Sequence, residues 1–113
     1  MLRFFLRAKI HLATVTGADP DYEGSIAVCP GLLERAGIAP GERVDVYNRD
    51  NGERLTTYAI IGKPGEICLN GAAALKCEKG QRVIIACYCL LSPEEIASHA
   101  PCVVLAGPDN RPQ

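Results

Sequence analysis

The chain consists of short apolar segments separated by turn residues, and this pattern restricts it to a fold built mainly of strands. Two strand-like segments, Arg43 to Asn48 and Arg54 to Ile61, flank the pair Asn51-Gly52. Asn-Gly between two such segments is a strong signal for a β-hairpin, because both residues accept the positive φ angles of a tight turn. Together with several further short strands and two or three small helices, the hairpin predicts a mainly β fold, a small β-barrel.

The other predicted strands lie on both sides of the hairpin. From Lys9 to Thr16 the residues alternate, which places Ile10 and Leu12 on one face and Lys9 and His11 on the other. Further strands are predicted at 25–28, 66–69, 82–91 and 102–105.

Three short helices are predicted from the signals at their ends. The first covers 30–36, with a proline at its start and Gly37 as its C-cap. Asn70 is predicted to N-cap a second helix over 71–75. The Ser-Pro-Glu-Glu segment at 92–95 has the form of a capping box and opens the third.

Composition and charge exclude several classes of protein. With 48% hydrophobic and 22% charged residues, a disordered chain is not expected. The length suits a single domain, 1–113, whose polar tail 107–113 is expected to be frayed. The net charge of −1 gives no electrostatic reason to expect nucleic acid or a membrane as partner. The basic start, 1–12, has too short an apolar stretch for a signal peptide and is predicted to be a first strand.

Six cysteines raise the question of a metal site or a disulfide framework. No C-x-x-C pair occurs, and Cys87 and Cys89 lie inside an apolar strand, where alternation puts both on one face. In the absence of a secretory signal we expect all six to be reduced and mostly buried, with no metal, in a cytoplasmic protein.

The segment Tyr22-Glu23-Gly24-Ser25 contains a bond at which a chain can cut itself. Most Gly-Ser pairs are ordinary turns, so the dipeptide alone indicates little. Self-cleavage would begin with attack of the Ser25 hydroxyl on the Gly24 carbonyl, for which Gly24 would supply a tight, strained backbone. The resulting ester would eliminate to dehydroalanine, and hydrolysis would then release ammonia and leave a pyruvoyl group at position 25. The products would be the chains 1–24 and 25–113.

Six short motifs occur in order along the chain and at fitting intervals. They are Lys9-x-His11, Tyr22-Glu23-Gly24-Ser25, Asn51-Gly52-x-Arg54, Thr57-Tyr58-Ala59-Ile60, Asn70-Gly71-Ala72-Ala73-Ala74 and Val83-Ile84-Ile85-Ala86. Each motif alone is weak, but together they are specific. With them the chain, from residue 9 to about residue 105, resembles the aspartate 1-decarboxylases, pyruvoyl enzymes that make β-alanine for pantothenate and coenzyme A. The resemblance implies L-aspartate as substrate, a double-psi β-barrel, a homotetramer, and active sites where subunits meet.

The cofactor implied by the resemblance is a pyruvoyl group derived from Ser25. Such a carbonyl can condense with the amine of an amino acid and accept the electrons released as CO₂ leaves, the role that pyridoxal phosphate has elsewhere. The chain is small for a pyridoxal enzyme and has no Gly-rich phosphate loop. The sequence leaves open whether a maturation factor assists the cleavage.

Two cations are candidates for holding the substrate. Arg54 could clamp one carboxylate through two hydrogen bonds, and Lys9 could bind the other. On the residues alone, a solvated surface charge is the more frequent role for both side chains, and the resemblance reverses that preference. Which carboxylate pairs with which cation stays open.

Tyr58 and Thr57 are adjacent in the sequence but fall on opposite faces of their strand. Tyr58 shares a face with Arg54 and could protonate the carbanion left by decarboxylation, although a half-buried strand tyrosine is the alternative. In the family, the threonine matching Thr57 holds the carbonyl oxygen that becomes negative when Ser25 attacks. One flat strand cannot present both faces to one site, so either the site is shared between subunits or the strand is irregular.

The small residues after Asn70 form a turn into a helix. Backbone N–H groups of Gly71, Ala72 and Ala73 could hold the pyruvoyl amide or a substrate carboxylate, and Asn70 could also act simply as an N-cap.

Three further residues are candidates for lining the site: His11, Tyr22 and Tyr47. His11 is equally consistent with a half-buried strand histidine. At position 47 the family often carries tryptophan, so Tyr47 keeps an aromatic wall but changes the size of the pocket.

Three alternatives stay open beside the aspartate decarboxylase. The same scaffold could act on a neighbouring acidic amino acid, because one methylene in a pocket changes affinity by only about 1–3 kcal/mol. It could be a homologue that never matures. It could also be a non-catalytic small barrel of the DNA-binding type, against which the near-neutral charge argues.

Overall fold

The computed structural model describes residues 1–113 and consists of eight strands with four short helical segments. The strands are β1 (Arg3–Thr14), β2 (Gly17–Asp19), β3 (Ser25–Val28), β4 (Arg43–Asn48), β5 (Arg54–Ile61), β6 (Ile67–Asn70), β7 (Arg82–Leu91) and β8 (Cys102–Leu105). The α-helices are α1 (Pro30–Ala36) and α2 (Pro93–Ile96), and single 3₁₀ turns cover Gly71–Leu75 and Pro108–Asn110.

All eight strands join one mixed sheet in the order β2-β6-β3-β5-β4-β7-β1-β8. The pairs β1–β7, β3–β6, β4–β5 and β4–β7 are antiparallel, and β1–β8, β2–β6 and β3–β5 are parallel. The predicted mainly β class with short helices is therefore confirmed. Because β3 pairs with both β5 and β6, the residue at the start of β3 lies between two other segments of the chain.

The local signals for the hairpin, for α1 and for α2 are confirmed. β4 and β5 pair antiparallel across the turn, where Gly52 has φ +75°. α1 ends at Gly37, which has the left-handed φ of +71° expected for a C-cap glycine. At α2, Ser92 and Glu95 form both hydrogen bonds of the capping box.

β1 departs from the predicted alternation because it contains a bulge. The register against β7 shifts between Ile10 and Ala13, and Leu12 has a positive φ of 58°. The Arg82 guanidinium donates two hydrogen bonds, of 3.2 and 3.0 Å, to the Leu12 carbonyl. A bulge adds one residue to the strand, so Ala13 and not Leu12 joins Ile10 in the core, and that prediction was wrong.

Other boundaries also differ from the prediction. β1 covers Arg3–Thr14, so the first strand predicted within 1–12 is confirmed, and it joins the alternating segment predicted from Lys9 because it pairs with β7 along nearly its whole length. β2 was not predicted, since a strand of three residues leaves no readable alternation and exists only through its pairing with β6. β6 is displaced by one residue from the predicted 66–69.

The tail 107–113, expected to be frayed, is folded back onto the sheet. Asn110 is 3% exposed, accepts a hydrogen bond from the Thr14 N–H at 2.7 Å, and donates to the carbonyls of Thr14 and Gly65, both at 2.9 Å. Gln113 N–H donates to the Leu105 carbonyl at 2.8 Å. A polar tail is ordered here because one buried amide satisfies three backbone groups.

The interior is one hydrophobic cluster of 22 buried residues. Of the six free thiols, Cys29, Cys77 and Cys87 are buried, Cys68 and Cys89 are half-buried, and Cys102 is exposed. Burial raises the pKa of Cys87 to about 11, so this thiol stays protonated at neutral pH. None of the helices is long and apolar enough to cross a bilayer.

Candidate active site

Ser25, the first residue of β3, is buried at the junction with β6. Its side chain is 1% exposed, and it lies opposite Asn70 in the antiparallel register. The Asn70 amide donates from Nδ2 to Ser25 Oγ at 3.0 Å. Asn70 occupies the position before the 3₁₀ turn, but its side chain makes no capping hydrogen bond, so the N-cap prediction was wrong. The amide holds the serine hydroxyl instead.

Gly24, just before Ser25, has a different conformation from the one predicted. Its φ is not positive, and a Cβ added to it would meet no atom within 4 Å. The left-handed residue lies across from it at Gly71, with φ +68°. The strained backbone predicted at Gly24 is therefore absent there, and the residue with a left-handed conformation, which favours glycine, is its neighbour on the other segment.

An open cleft of about 270 Å³ lies beside the Gly24–Ser25 bond. It is lined by Gly24, Leu55, Thr56, Thr57, Asn70, Ala72, Ala73 and Lys76. Five of these eight residues were candidates from the sequence, although they come from three separate segments of the chain. The pairing of β3 with both β5 and β6 brings the three segments together.

Burial along β5 alternates as the sequence predicts. Arg54 and Tyr58 are exposed, whereas Thr57 is half-buried on the face that meets the cleft. Tyr58 precedes Ala59, the β5 partner of Ile26, so it lies beside the start of β3 and close to Ser25 along the sheet. Its side chain is 41% exposed and does not line the cleft.

A second cleft, of about 430 Å³, shares Asn70 with the first. Tyr22 contributes to it, together with the charged residues Asp19, Lys63 and Glu66 and with Cys68. Asn70 therefore lies between two open spaces, one next to Thr57 and one next to Tyr22.

Arg54 is positioned by an aromatic pair on the neighbouring strands. Its guanidinium carbon lies 4.3 Å from the centre of the Tyr47 ring, and the Tyr47 and Tyr88 hydroxyls form a hydrogen bond of 2.9 Å. Partial burial and the bond to Tyr88 raise the pKa of Tyr47 to about 12, so the ring stays neutral. The aromatic side chain predicted to line the site at position 47 thus stacks against the guanidinium of Arg54, the predicted substrate-binding cation.

Lys9 and His11 lie on β1, which β4 and β7 separate from β5 in the sheet. Neither residue lines the clefts beside Gly24 or Tyr22. Both are half-buried, and His11 Nδ1 is a buried atom with no hydrogen-bond partner. Within one chain, the predicted substrate-binding lysine is therefore not brought to the cleavage bond.

Lys76 is a charged residue of the cleft that was not predicted from the sequence. Its ammonium group forms an ion pair of 2.8 Å with Glu53 at the edge of the hairpin turn. Lys76 follows directly on the small-residue turn that was singled out, so extending that segment by two residues would have included it.

The residues present suit the formation of a carbonyl group at position 25. The serine hydroxyl is buried and held by an amide donor, the adjacent carbonyl carbon belongs to Gly24, which lines the cleft, and a threonine lines the same cleft. No cluster of residues that could hold a metal ion accompanies them.

Comparisons with known proteins agree with this chemistry. The family model described as aspartate decarboxylase matches residues 1–113. The aspartate 1-decarboxylase of Bdellovibrio bacteriovorus is 56% identical, over 94% of this chain and 86% of the relative. Those of Neisseria meningitidis and Syntrophus aciditrophicus are 53% and 50% identical, each over 98% of this chain and over 89% and 97% of their own lengths.

The comparisons place the chain among the carboxy-lyases that carry a pyruvoyl group. It belongs to the aspartate decarboxylase family.

Proposed function

We propose that the chain decarboxylates L-aspartate to β-alanine and CO₂, supplying pantothenate and coenzyme A synthesis, after cutting itself between Gly24 and Ser25. The observation that carries this proposal is the 3.0 Å hydrogen bond from Asn70 to the buried Ser25 hydroxyl, beside a cleft that Gly24 and Thr57 line. Ser25 is the only serine before residue 92. Among the residues that line the cleft, the only other hydroxyl groups belong to Thr56 and Thr57.

The chain's own groups would divide the cleavage reaction between them. The Ser25 oxygen forms a bond to the Gly24 carbonyl carbon while the peptide C–N bond breaks, and the hydroxyl proton ends on the Ser25 nitrogen. Asn70 orients the hydroxyl, and Thr57 donates to the carbonyl oxygen as it becomes negative. Elimination then releases the carboxylate of Gly24, and water replaces the nitrogen of residue 25 as ammonia leaves. The products are 1–24 and 25–113.

In the mature enzyme, four side chains would serve the substrate. Arg54 and Lys9 hold its two carboxylates, and Tyr58 delivers a proton to the substrate carbon. Asn70 and the N–H groups of Gly71, Ala72 and Ala73 hold residue 25 and the adjacent end of the substrate. The pyruvoyl carbonyl supplies the electron sink for the loss of CO₂. His11, Tyr22 and Tyr47 line the site.

The proposal includes a double-psi β-barrel and a homotetramer in the cytoplasm. Two features support a site completed between subunits. Lys9, His11, Arg54 and Tyr58 lie outside the cleft next to Gly24 within one chain. Large apolar side chains are exposed on the same sheet, among them Phe4 at 77% and Leu90 at 50%.

Intact mass under denaturing, reducing conditions, followed by incubation with L-aspartate and with L-glutamate, tests the proposal. We expect two species split at 24–25, the larger one bearing a ketone in place of the amine, and β-alanine formed from aspartate in preference to any product from glutamate. A Ser25→Ala variant is the control and should remain one chain without activity. Fully cut protein that forms no β-alanine, or a Ser25→Ala variant as active as the natural chain, would exclude the proposed function. A single uncut species would mean that maturation fails or needs a partner.

A further inference from the structure

Two glycines lie just beyond the last residue pair of the β3–β6 ladder. Gly24 precedes Ser25 in the chain, and Gly71 follows Asn70. Ser25 pairs with Asn70, so continuing the antiparallel register places Gly24 opposite Gly71. A Cβ added to Gly71 would lie 2.8 Å from Gly24 Cα, 3.0 Å from Gly24 N and 3.2 Å from the Tyr22 carbonyl oxygen. All three atoms belong to the backbone, which cannot rotate away as a side chain can.

Of these two residues, only Gly71 has surroundings that require a glycine. Gly71 is buried, has φ +68° and touches the backbone of the segment that is cut. Gly24 is exposed and has open space where a side chain would stand. The backbone of 22–24 thus rests against Gly71, while the Asn70 amide holds the Ser25 hydroxyl one position away.

Together these contacts fix both partners of the cleavage reaction from one short segment. Asn70 fixes the attacking oxygen, and Gly71 fixes how closely the carbonyl-bearing residue approaches it. We infer that Gly71 is a positioning residue for self-cleavage: its missing side chain lets the backbone of Gly24 come close enough to β6 for Ser25 Oγ to attack the Gly24 carbonyl carbon. This inference rests on the proposed function, because it concerns the same bond.

The expected size of the effect follows from the distances. Moving Gly24 Cα from 2.8 Å to an ordinary contact at 3.4 Å or beyond shifts the scissile residue by several tenths of an ångström. Displacements of about 1 Å in a reacting pair slow reactions by about 100-fold, so we expect cleavage to slow by at least roughly tenfold.

The test compares Gly71→Ala with Gly37→Ala. Gly37 has nearly the same φ, +71°, but a Cβ there would meet only a flexible arginine side chain at 3.8 Å, so the control carries the conformational cost without the backbone clash. Gly71→Asn with Gly37→Asn forms a second pair, because asparagine tolerates positive φ better than other residues. The fraction cut at 24–25 is followed by intact mass after synthesis, in samples whose circular dichroism matches the natural chain.

Treatment with hydroxylamine measures the amount of ester intermediate, which a general loss of stability would not change. Hydroxylamine cleaves an ester between Ser25 Oγ and the Gly24 carbonyl, but not the Gly24–Ser25 peptide bond. Only a cut at 24–25 is counted, because hydroxylamine also cleaves Asn-Gly bonds such as Asn51-Gly52. The inference predicts slow cleavage in folded Gly71 variants with no hydroxylamine-sensitive ester, and normal cleavage in both Gly37 variants.

Three outcomes would overturn the inference. They are Gly71 variants that cut at the natural rate, Gly71 variants that accumulate an ester that hydroxylamine cleaves, and Gly71 variants that do not fold while the Gly37 variants do. The second would assign the contact to the elimination step, and the third to the fold. Failure of the natural chain itself to be cut would instead count against the proposed self-cleavage, and against the inference with it.

Discussion

The contact between Arg54 and Tyr47 joins a candidate substrate cation to an aromatic ring on the neighbouring strand. The guanidinium lies over the ring at 4.3 Å, and the ring is in turn held by the hydroxyl of Tyr88. A free arginine side chain samples many rotamers, so the ring reduces the entropy that Arg54 loses when it binds a carboxylate.

Replacing Tyr47 by alanine should therefore weaken substrate binding and leave self-cleavage intact. Loss of an exposed cation–π contact of about 0.5–1 kcal/mol corresponds to an increase in KM for aspartate of about two- to fivefold. Tyr47→Phe keeps the ring and should stay near the natural KM. Steady-state kinetics on fully cleaved protein measure the effect, and an unchanged KM in Tyr47→Ala would show that the ring does not position Arg54.

At the scale of elements, the C-terminal segment 107–113 packs against the end of β1. Asn110 has a positive φ of 55° and uses both ends of its amide on backbone groups of Thr14 and Gly65. These groups are next to the bulge in β1, where ladder bonds are interrupted. The tail thus supplies hydrogen bonds that the strand itself cannot make.

Asn110→Ala should destabilise the protein although the residue lies three positions from the end of the chain. Buried groups without partners cost about 1–3 kcal/mol each, so we expect the free energy of unfolding to fall by about 2–3 kcal/mol. Urea denaturation measures this change. Arg111→Ala, at an exposed neighbouring position, is the control and should change stability by less than about 0.5 kcal/mol. Equal stability of the two variants would mean that the tail contributes nothing to the fold.

For the molecule as a whole, the proposed cut breaks the chain but leaves both fragments in the same sheet and the same hydrophobic core. The segment 1–24 carries β1 and β2, and every partner of these strands (β6, β7 and β8) lies in 25–113. Ala8, Ile10, Ala13 and Val15 of this segment are at most 1% exposed. Fully burying a side chain such as Ile10 or Val15 contributes about 1.5–3 kcal/mol, so separation of the fragments would lose at least two such contributions and those of the two smaller alanines.

After cleavage, the two fragments should remain together under native conditions. Gel filtration of the mature protein, followed by denaturing mass spectrometry of the single peak, should find 1–24 and 25–113 in equal amounts. The Ser25→Ala chain should elute at the same volume as the mature protein. Loss of the small fragment on the native column would contradict the role of β1 as an internal strand paired with both β7 and β8.

Local chemistry explains which features could be predicted from the sequence. The Asn51-Gly52 hairpin, the glycine that ends α1 and the capping box of α2 depend on residues within a few positions of one another, and all three are confirmed. The motifs also identified the family, because residue types at a reacting site are constrained by the chemistry rather than by the fold. The bulge at Leu12, strand β2 and the ordered tail were missed, since each exists only through partners 50 or more residues away.

The sequence by itself determined the elements with local end signals, the family, and the identity of the residues around the Gly24–Ser25 bond. Only the tertiary structure decided how those residues meet. Asn70 was read as a cap and instead holds Ser25, and the glycine with a positive φ is Gly71 rather than Gly24. Lys76 enters the cleft, while Lys9 lies on β1, which two other strands separate from β5. The physical reason is that strand pairing joins segments far apart in the chain. The register of that pairing sets each contact between the segments, and it cannot be read from either segment alone.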